Sequence, residues 1–127
     1  SLVNAMLGQH PQMYGLPELC LFNVETLVDM WKGSPGEISE NGSMMRHGLM
    51  RAVAEIWGGE QRTNTVNMAF AWASAREMKP SGEVYREIVD KIDPLIAVEK
   101  SPSYTMSVKR MQAMHRYFPD ARFLHLV

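Results

Sequence analysis

With 127 residues, 46% of them hydrophobic and 21% charged, the chain is sized for one ordinary core and is short for two. Its 13 Lys and Arg against 14 Asp and Glu leave a formal charge of -1, so no overall field draws nucleic acid or an anionic membrane, and any anion binding has to be local. The single cysteine, Cys20, excludes an internal disulfide and a thiolate metal cluster and fits a reducing compartment. Ser1 to Gly8 is apolar for only a few residues and lacks a basic leader, so no secretory signal is visible, and no run nears the roughly 20 apolar residues of a membrane span. A soluble cytoplasmic protein is the expectation.

In chain order, Ser1 to Leu7 reads as a helix that begins abruptly at its serine, and His10-Pro11 ends it because proline disfavours helical geometry in the residue before it. Gln12 to Gly15 reads as a short strand and Leu16-Pro17-Glu18 as a loop. From Phe22, the residues Val24, Leu27, Val28 and Trp31 fall at helical spacing. The polar stretch Gly33 to Gly42 reads as a mobile loop, and Ser43 as the cap of a helix bearing Met45, Leu49, Val53 and Ile56, closed by Gly58-Gly59. A third helical stretch over 60–78 carries Val66, Phe70 and Ala73. Lys79-Pro80-Ser81-Gly82 punctuates it, and Ser81 is placed to cap a fourth helix with Val84, Ile88 and Ile92. The 11 methionines read as flexible core filler.

After Asp93-Pro94 the texture changes. Leu95 to Val98 is a short continuous apolar run of the kind a doubly buried strand needs. Ser101-Pro102-Ser103 follows, with Ser103 as candidate cap, and then Val108, Met111, Met114 and Phe118 mark an amphipathic helix. Pro119-Asp120 turns the chain into Phe123 to Val127, which reads as a second buried strand. The predicted unit is βαβ, with residues 105–118 as the crossover between adjacent parallel strands. Chemistry in such sheets gathers at the carboxyl ends of the strands, which directs attention to Glu99-Lys100-Ser101. So short a sheet leaves an unpaired edge, which points to a portion of a larger fold.

Two blocks then carry a resemblance: Ser1-Leu2 through His10-Pro11-Gln12-Met13-Tyr14-Gly15-Leu16-Pro17-Glu18-Leu19, and Glu99-Lys100-Ser101-Pro102-Ser103-Tyr104 leading into Phe118-Pro119-Asp120 and the final run. In this order and spacing they resemble the sulfotransferases that use 3′-phosphoadenosine 5′-phosphosulfate, in particular the bacterial branch and the related tyrosylprotein enzymes. The resemblance implies a P-loop-like three-layer α/β fold with a parallel sheet, present only in part. Residues 1–127 would form a single partial domain, in which 21–92 is a helical insertion on the acceptor side and 95–127 the βαβ unit.

It also implies the phosphosulfate donor, an acceptor bearing a hydroxyl, and no metal. Glu18 matches the general base of the tyrosylprotein branch, Lys100 a lysine facing the sulfonate, and Ser1 the last residue of the loop that wraps the 5′-phosphosulfate. Some relatives have histidine where Cys20 stands. Because the rest of that loop and the arginine that binds the 3′-phosphate fall outside the chain, the isolated chain is expected to bind the donor poorly.

Each of these residues also has a plainer reading. Glu18 suits the N-terminal end of the helix expected from Phe22. Lys100 suits a surface lysine paired with Glu99. His10, His47, His115 and His125 lack the spacing of metal ligands, and His125 reads as a core histidine. Trp31, Trp57, Phe70 and Trp72 read as core or as acceptor-pocket walls. Two other functions compete: a helical interaction module without catalysis, and a nucleotide kinase, for which no Gly-Lys-(Ser/Thr) is present.

Overall fold

A computed structural model describes residues 1–32 and 40–127, with the side chains of 40–45 left aside. Helix α1, Leu2–Gly8, is capped by Ser1, whose hydroxyl accepts the Asn4 N–H at 3.3 Å. It leads into strand β1, Met13–Gly15, at the place where the sequence reads as extended. The helix and the strand meet backbone to backbone: a Cβ on Gly8 would stand 3.2 Å from the Gly15 Cα, and one on Gly15 would stand 3.2 Å from the Gly8 Cα.

Strand β2, Ile96–Val98, runs parallel to β1, with Met13 opposite Ile96, Tyr14 opposite Ala97 and Gly15 opposite Val98. The Leu16 N–H extends the ladder to the Val98 carbonyl at 2.8 Å. Parallel strands need a long crossover, and here the helical segment between residues 16 and 95 provides it. This corrects the expected pairing. Among the described residues β2 is bonded to β1, while Phe123–Val127 joins no ladder and is exposed along its length, His125 included. An apolar run becomes a strand only where a partner backbone meets it, and among the described residues none meets this one. Ile96 is likewise exposed, so β2 is not buried on both faces as its composition suggests.

Three long helices follow: α2 over Glu40–Gly58, α3 over Thr63–Ser74 and α4 over Ser81–Ile92. Ser43 lies inside α2 rather than at its cap. The loop expected from Gly33 falls outside the described residues as far as residue 39, as does the Met45 side chain. Leu49 and Val53 of α2 are fully buried, as their spacing predicts. The buried face of α3 is instead Thr65, Ala69, Trp72 and Ala73, and Phe70 points outward. Trp72 packs on Trp57 with ring centroids 5.0 Å apart, and this pair joins α3 to α2. On α4, Val84, Ile88 and Ile92 face the core as expected. Pro80 holds its cap position, and the Ser81 hydroxyl donates to the Val24 carbonyl.

The apolar stripe from Phe22 to Trp31 is not a helix but two 3₁₀ turns, Leu21–Asn23 and Leu27–Met30. Its backbone donors are taken from outside: the Leu27 N–H bonds the Lys79 carbonyl at 3.1 Å and the Val28 N–H bonds the Glu77 carbonyl at 2.8 Å. Helical propagation therefore stops. A third 3₁₀ turn, Pro102–Met106, separates β2 from α5, Val108–Tyr117, so Ser107 rather than Ser103 stands at the cap of α5. The core gathers Leu16, Leu19, Leu21, Leu27 and Met30 against Leu49, Val53, Trp72, Val84 and Ile88. A second, aromatic cluster centres on Phe22, which packs at tilted or edge-on angles against Tyr85, Tyr104, Tyr117 and Phe118.

Candidate functional site

A cleft of about 500 Å³ opens where the two parallel strands end. Ser1 at the cap of α1 and Asn4 within it, Gly15 at the end of β1, Leu16 to Glu18 and Cys20 after it, His47, Gly48, Arg51 and Glu55 of α2, and Lys100 after β2 line it. Ser1, Glu18 and Lys100, three residues far apart in the chain, thus share one concavity at the carboxyl ends of β1 and β2, where ligands enter sheets of this class.

The Lys100 ammonium stands 2.8 Å from Glu18 Oε1, and both side chains are about half exposed, at 45% and 50%. Lys100 therefore pairs with Glu18 across the cleft and not with its neighbour Glu99, contrary to the plainer reading of that lysine. An ion pair this accessible adds about 0–1 kcal/mol of stability. Glu18 is also not at a helix start, because the segment that follows is a short 3₁₀ turn preceded by Cys20 in a left-handed conformation, φ 56°.

The loop that carries Glu18 is fixed from three sides. Asn4 Nδ2 of α1 donates to the Leu16 carbonyl at 2.9 Å. Glu99 accepts the Leu19 N–H at 2.8 Å. From α2, Gly48 approaches so closely that a Cβ there would fall 1.8 Å from the Glu18 carbonyl oxygen. Only a residue without a side chain lets the helix lie against the loop at this distance.

Glu99 is mostly buried. Besides the Leu19 N–H it accepts from Tyr85 Oη at 2.7 Å, from Tyr104 Oη at 3.1 Å and from the Ser101 hydroxyl. Burial raises its carboxyl above the ordinary range, against the opposing pull of these hydrogen bonds. Burial likewise raises the Tyr85 and Tyr104 hydroxyls, reinforced by the nearby Glu99 charge, and they remain protonated donors. Burial raises the Cys20 thiol too, although bonds to Ser101 and Ser103 pull the other way. Tyr14 on β1 is raised by burial and then by Glu55.

Asn4, Gly48, Arg51 and Glu55 were not singled out by sequence, Glu99 was marked only as part of the segment after β2 and as a partner for Lys100, and His47 only as lacking metal-ligand spacing. The helical spacing of His47, Arg51 and Glu55 is the one signal that places them on a common face. Trp31, Trp57, Phe70 and Trp72 do not line the cleft. Among the described residues no group of three or more His, Cys, Asp and Glu side chains is placed to hold a metal ion, and no helix is long and apolar enough to cross a membrane.

A carboxylate and an ammonium thus face each other at the carboxyl ends of a parallel strand pair in an α/β fold. The chain belongs to the Sulfotransferase family, whose pattern it matches over residues 1–127. That match favours the sulfotransferase reading over the helical interaction module and the nucleotide kinase. No curated protein sequence matches the chain.

Two solved structures share its fold. One is a sulfotransferase domain from the curacin biosynthetic pathway, 22% identical with a TM-score of 0.71 over 91% of this chain and 38% of that one. The other is a sulfotransferase domain from the Synechococcus PCC 7002 olefin synthase, 25% identical with a TM-score of 0.67 over 88% of this chain and 38% of that one. The chain thus spans 38% of the length of each of these structures.

Proposed function

We propose that the chain contributes the acceptor side of a sulfotransferase site, in which Glu18 is the general base and Lys100 faces the sulfonate. The observation that carries this reading is the 2.8 Å contact between Lys100 and Glu18 at the ends of two parallel strands. Sulfuryl transfer needs a group to take the acceptor hydroxyl proton and a cation beside the oxygens that gain charge. This pair is of that chemistry, and the cleft has the size of a small-molecule site, about 300–1,000 Å³ in general.

The donor, 3′-phosphoadenosine 5′-phosphosulfate, supplies an activated sulfuryl group. Lys100 and Ser1 at the rim fit its sulfonate end. The acceptor oxygen forms a bond to sulfur as the bond from sulfur to the phosphate oxygen breaks, and the acceptor proton passes to Glu18. Lys100 leaves Glu18 for the sulfonate as the donor enters, and this frees the carboxylate for the hydroxyl. The helical region 21–92 is the acceptor side, a reading supported by α2, whose His47, Gly48, Arg51 and Glu55 line the same cleft as Lys100. The lone thiol fits a cytoplasmic setting.

The test is turnover with donor and acceptor in the active protein. Loss of a general base costs about 10²- to 10⁴-fold. Glu18→Gln is expected to lower kcat within that range with little change in donor affinity. A variant that keeps more than about half the parent rate, far above what loss of a base allows, removes Glu18 from the chemistry.

A further inference from the structure

The chemistry described above makes no use of Glu99, yet this side chain ties together more elements than the reacting pair does. Tyr85 comes from α4, Tyr104 and Ser101 from the segment after β2, and Leu19 from the loop after β1. The reason lies in strand geometry. Successive residues leaving β2 point to opposite sides, so Lys100 reaches out into the cleft while Glu99 turns inward beneath the loop. The loop shows the same alternation, with Glu18 exposed and Leu19 fully buried. Two tethers of equal length result: an outer one from Lys100 to Glu18 at 2.8 Å, and an inner one from the Leu19 N–H to Glu99 at 2.8 Å. In the reaction the outer tether has to open. The inner one has no such duty.

We propose that Glu99 is the positioning residue of this site: by accepting the Leu19 N–H from within, its carboxylate holds the Glu18 loop over the end of β2 while the pair of Glu18 and Lys100 opens for substrates. This rests on the reading of Glu18 and Lys100 given above. Tyr85, Tyr104 and Ser101 hold the carboxylate in turn, so the placement of the loop is referred to α4 and the aromatic cluster rather than to the solvent-exposed ion pair. What the role needs is an acceptor oxygen at the Oε1 position, not a negative charge. Glutamine keeps that oxygen, and its amide can face the hydroxyls of Tyr85 and Tyr104, which rotate to accept. Aspartate keeps the charge but withdraws the oxygen by one methylene.

The experiment compares the active protein with Glu99→Gln, Glu99→Asp and Glu99→Ala. It reads hydrogen exchange at the Leu19 amide, together with kcat per folded molecule and donor KM. A displacement of about 1 Å costs up to about 100-fold in rate. Glu99→Asp and Glu99→Ala are expected to speed Leu19 exchange and to lower kcat by about 10- to 100-fold, with donor KM nearly unchanged. Glu99→Gln restores both readouts. A Leu19 amide that exchanges faster while kcat stays at the parent value overturns the proposal, and so does a folded Glu99→Gln as slow as Glu99→Ala.

Should Glu99→Ala fail to fold, Glu99→Asp decides. If the parent protein transfers no sulfuryl group, the reading of Glu18 and Lys100 fails on its own account, and exchange then judges the tether. Faster exchange in Glu99→Asp with recovery in Glu99→Gln supports it, and unchanged exchange overturns it.

Discussion

The approach of α2 to the Glu18 loop makes Gly48→Ala a severe test of the site. The new methyl carbon would lie 1.8 Å from the Glu18 carbonyl oxygen and 2.8 Å from its carbonyl carbon. A carbon and a carbonyl oxygen rest at about 3.3–3.6 Å even in their closest favourable contacts, so helix and loop must part by about 1.5 Å. The obstacle is backbone and not the tip of a flexible side chain, and the loop is already bonded to Asn4 and Glu99.

Overpacking of this kind costs about 1–3 kcal/mol. Alanine recovers about 0.5–1 kcal/mol over glycine in a helix interior, so the net loss of stability is about 0–2.5 kcal/mol. Activity separates the outcomes better, because a shift of that size at the base is worth about 100-fold in rate. Thermal melting and turnover of the active protein should show a small fall in Tm with a large fall in kcat. A variant that is stabilised and retains the parent rate would refute the close packing of α2 on Glu18.

Three further outcomes are expected. Lys100→Ala should lower kcat and weaken donor binding, measured as separate kcat and KM values; parental values for both would remove the lysine from the site. Ile88→Ala, at a fully buried position on α4, should cost about 2–5 kcal/mol, read by denaturant unfolding. The raised carboxyl of Glu99 means that the folded chain holds this proton more tightly than the unfolded chain, so its contribution to stability is present below about pH 4.3, the unfolded value, and is lost as pH rises through the folded value. The melting temperature of Glu99→Gln relative to the parent should therefore climb across that window and then level off. A difference independent of pH would contradict the burial of Glu99.

How much of this was legible in the chain depends on where each signal lies. Gln12 to Gly15 is bounded by His10-Pro11 on one side and Leu16-Pro17 on the other, and the strand falls between them. Val84, Ile88 and Ile92 keep strict helical spacing behind Pro80, and α4 forms there. The stripe from Val24 to Trp31 has the same spacing but not the same outcome, because residues 77–79 take its N–H groups, a partnership no local pattern encodes. Phe123–Val127 shows the converse, since composition alone does not supply a neighbouring backbone. Glu18 and Lys100 were picked out through the family resemblance, and the fold brings them face to face across a long helical segment. Glu99 was passed over as a surface partner for Lys100. Its burial follows from the alternation after β2 and from Tyr85, which the fold brings from another helix.

The crossing of α1 over β1 limits how this sequence can drift. At most close contacts a larger residue on one side is accommodated by a smaller one on the other, and substitutions proceed in compensating pairs. Gly8 and Gly15 face each other with their α-carbons in the way, and each is already the smallest residue available. Neither position can make room for a change at the other. Even alanine there needs the facing backbone to give by a few tenths of an ångström, and that shift falls on the helix that places Ser1 and Asn4 at the mouth of the cleft, so these two positions tie the evolution of the helix to that of the site.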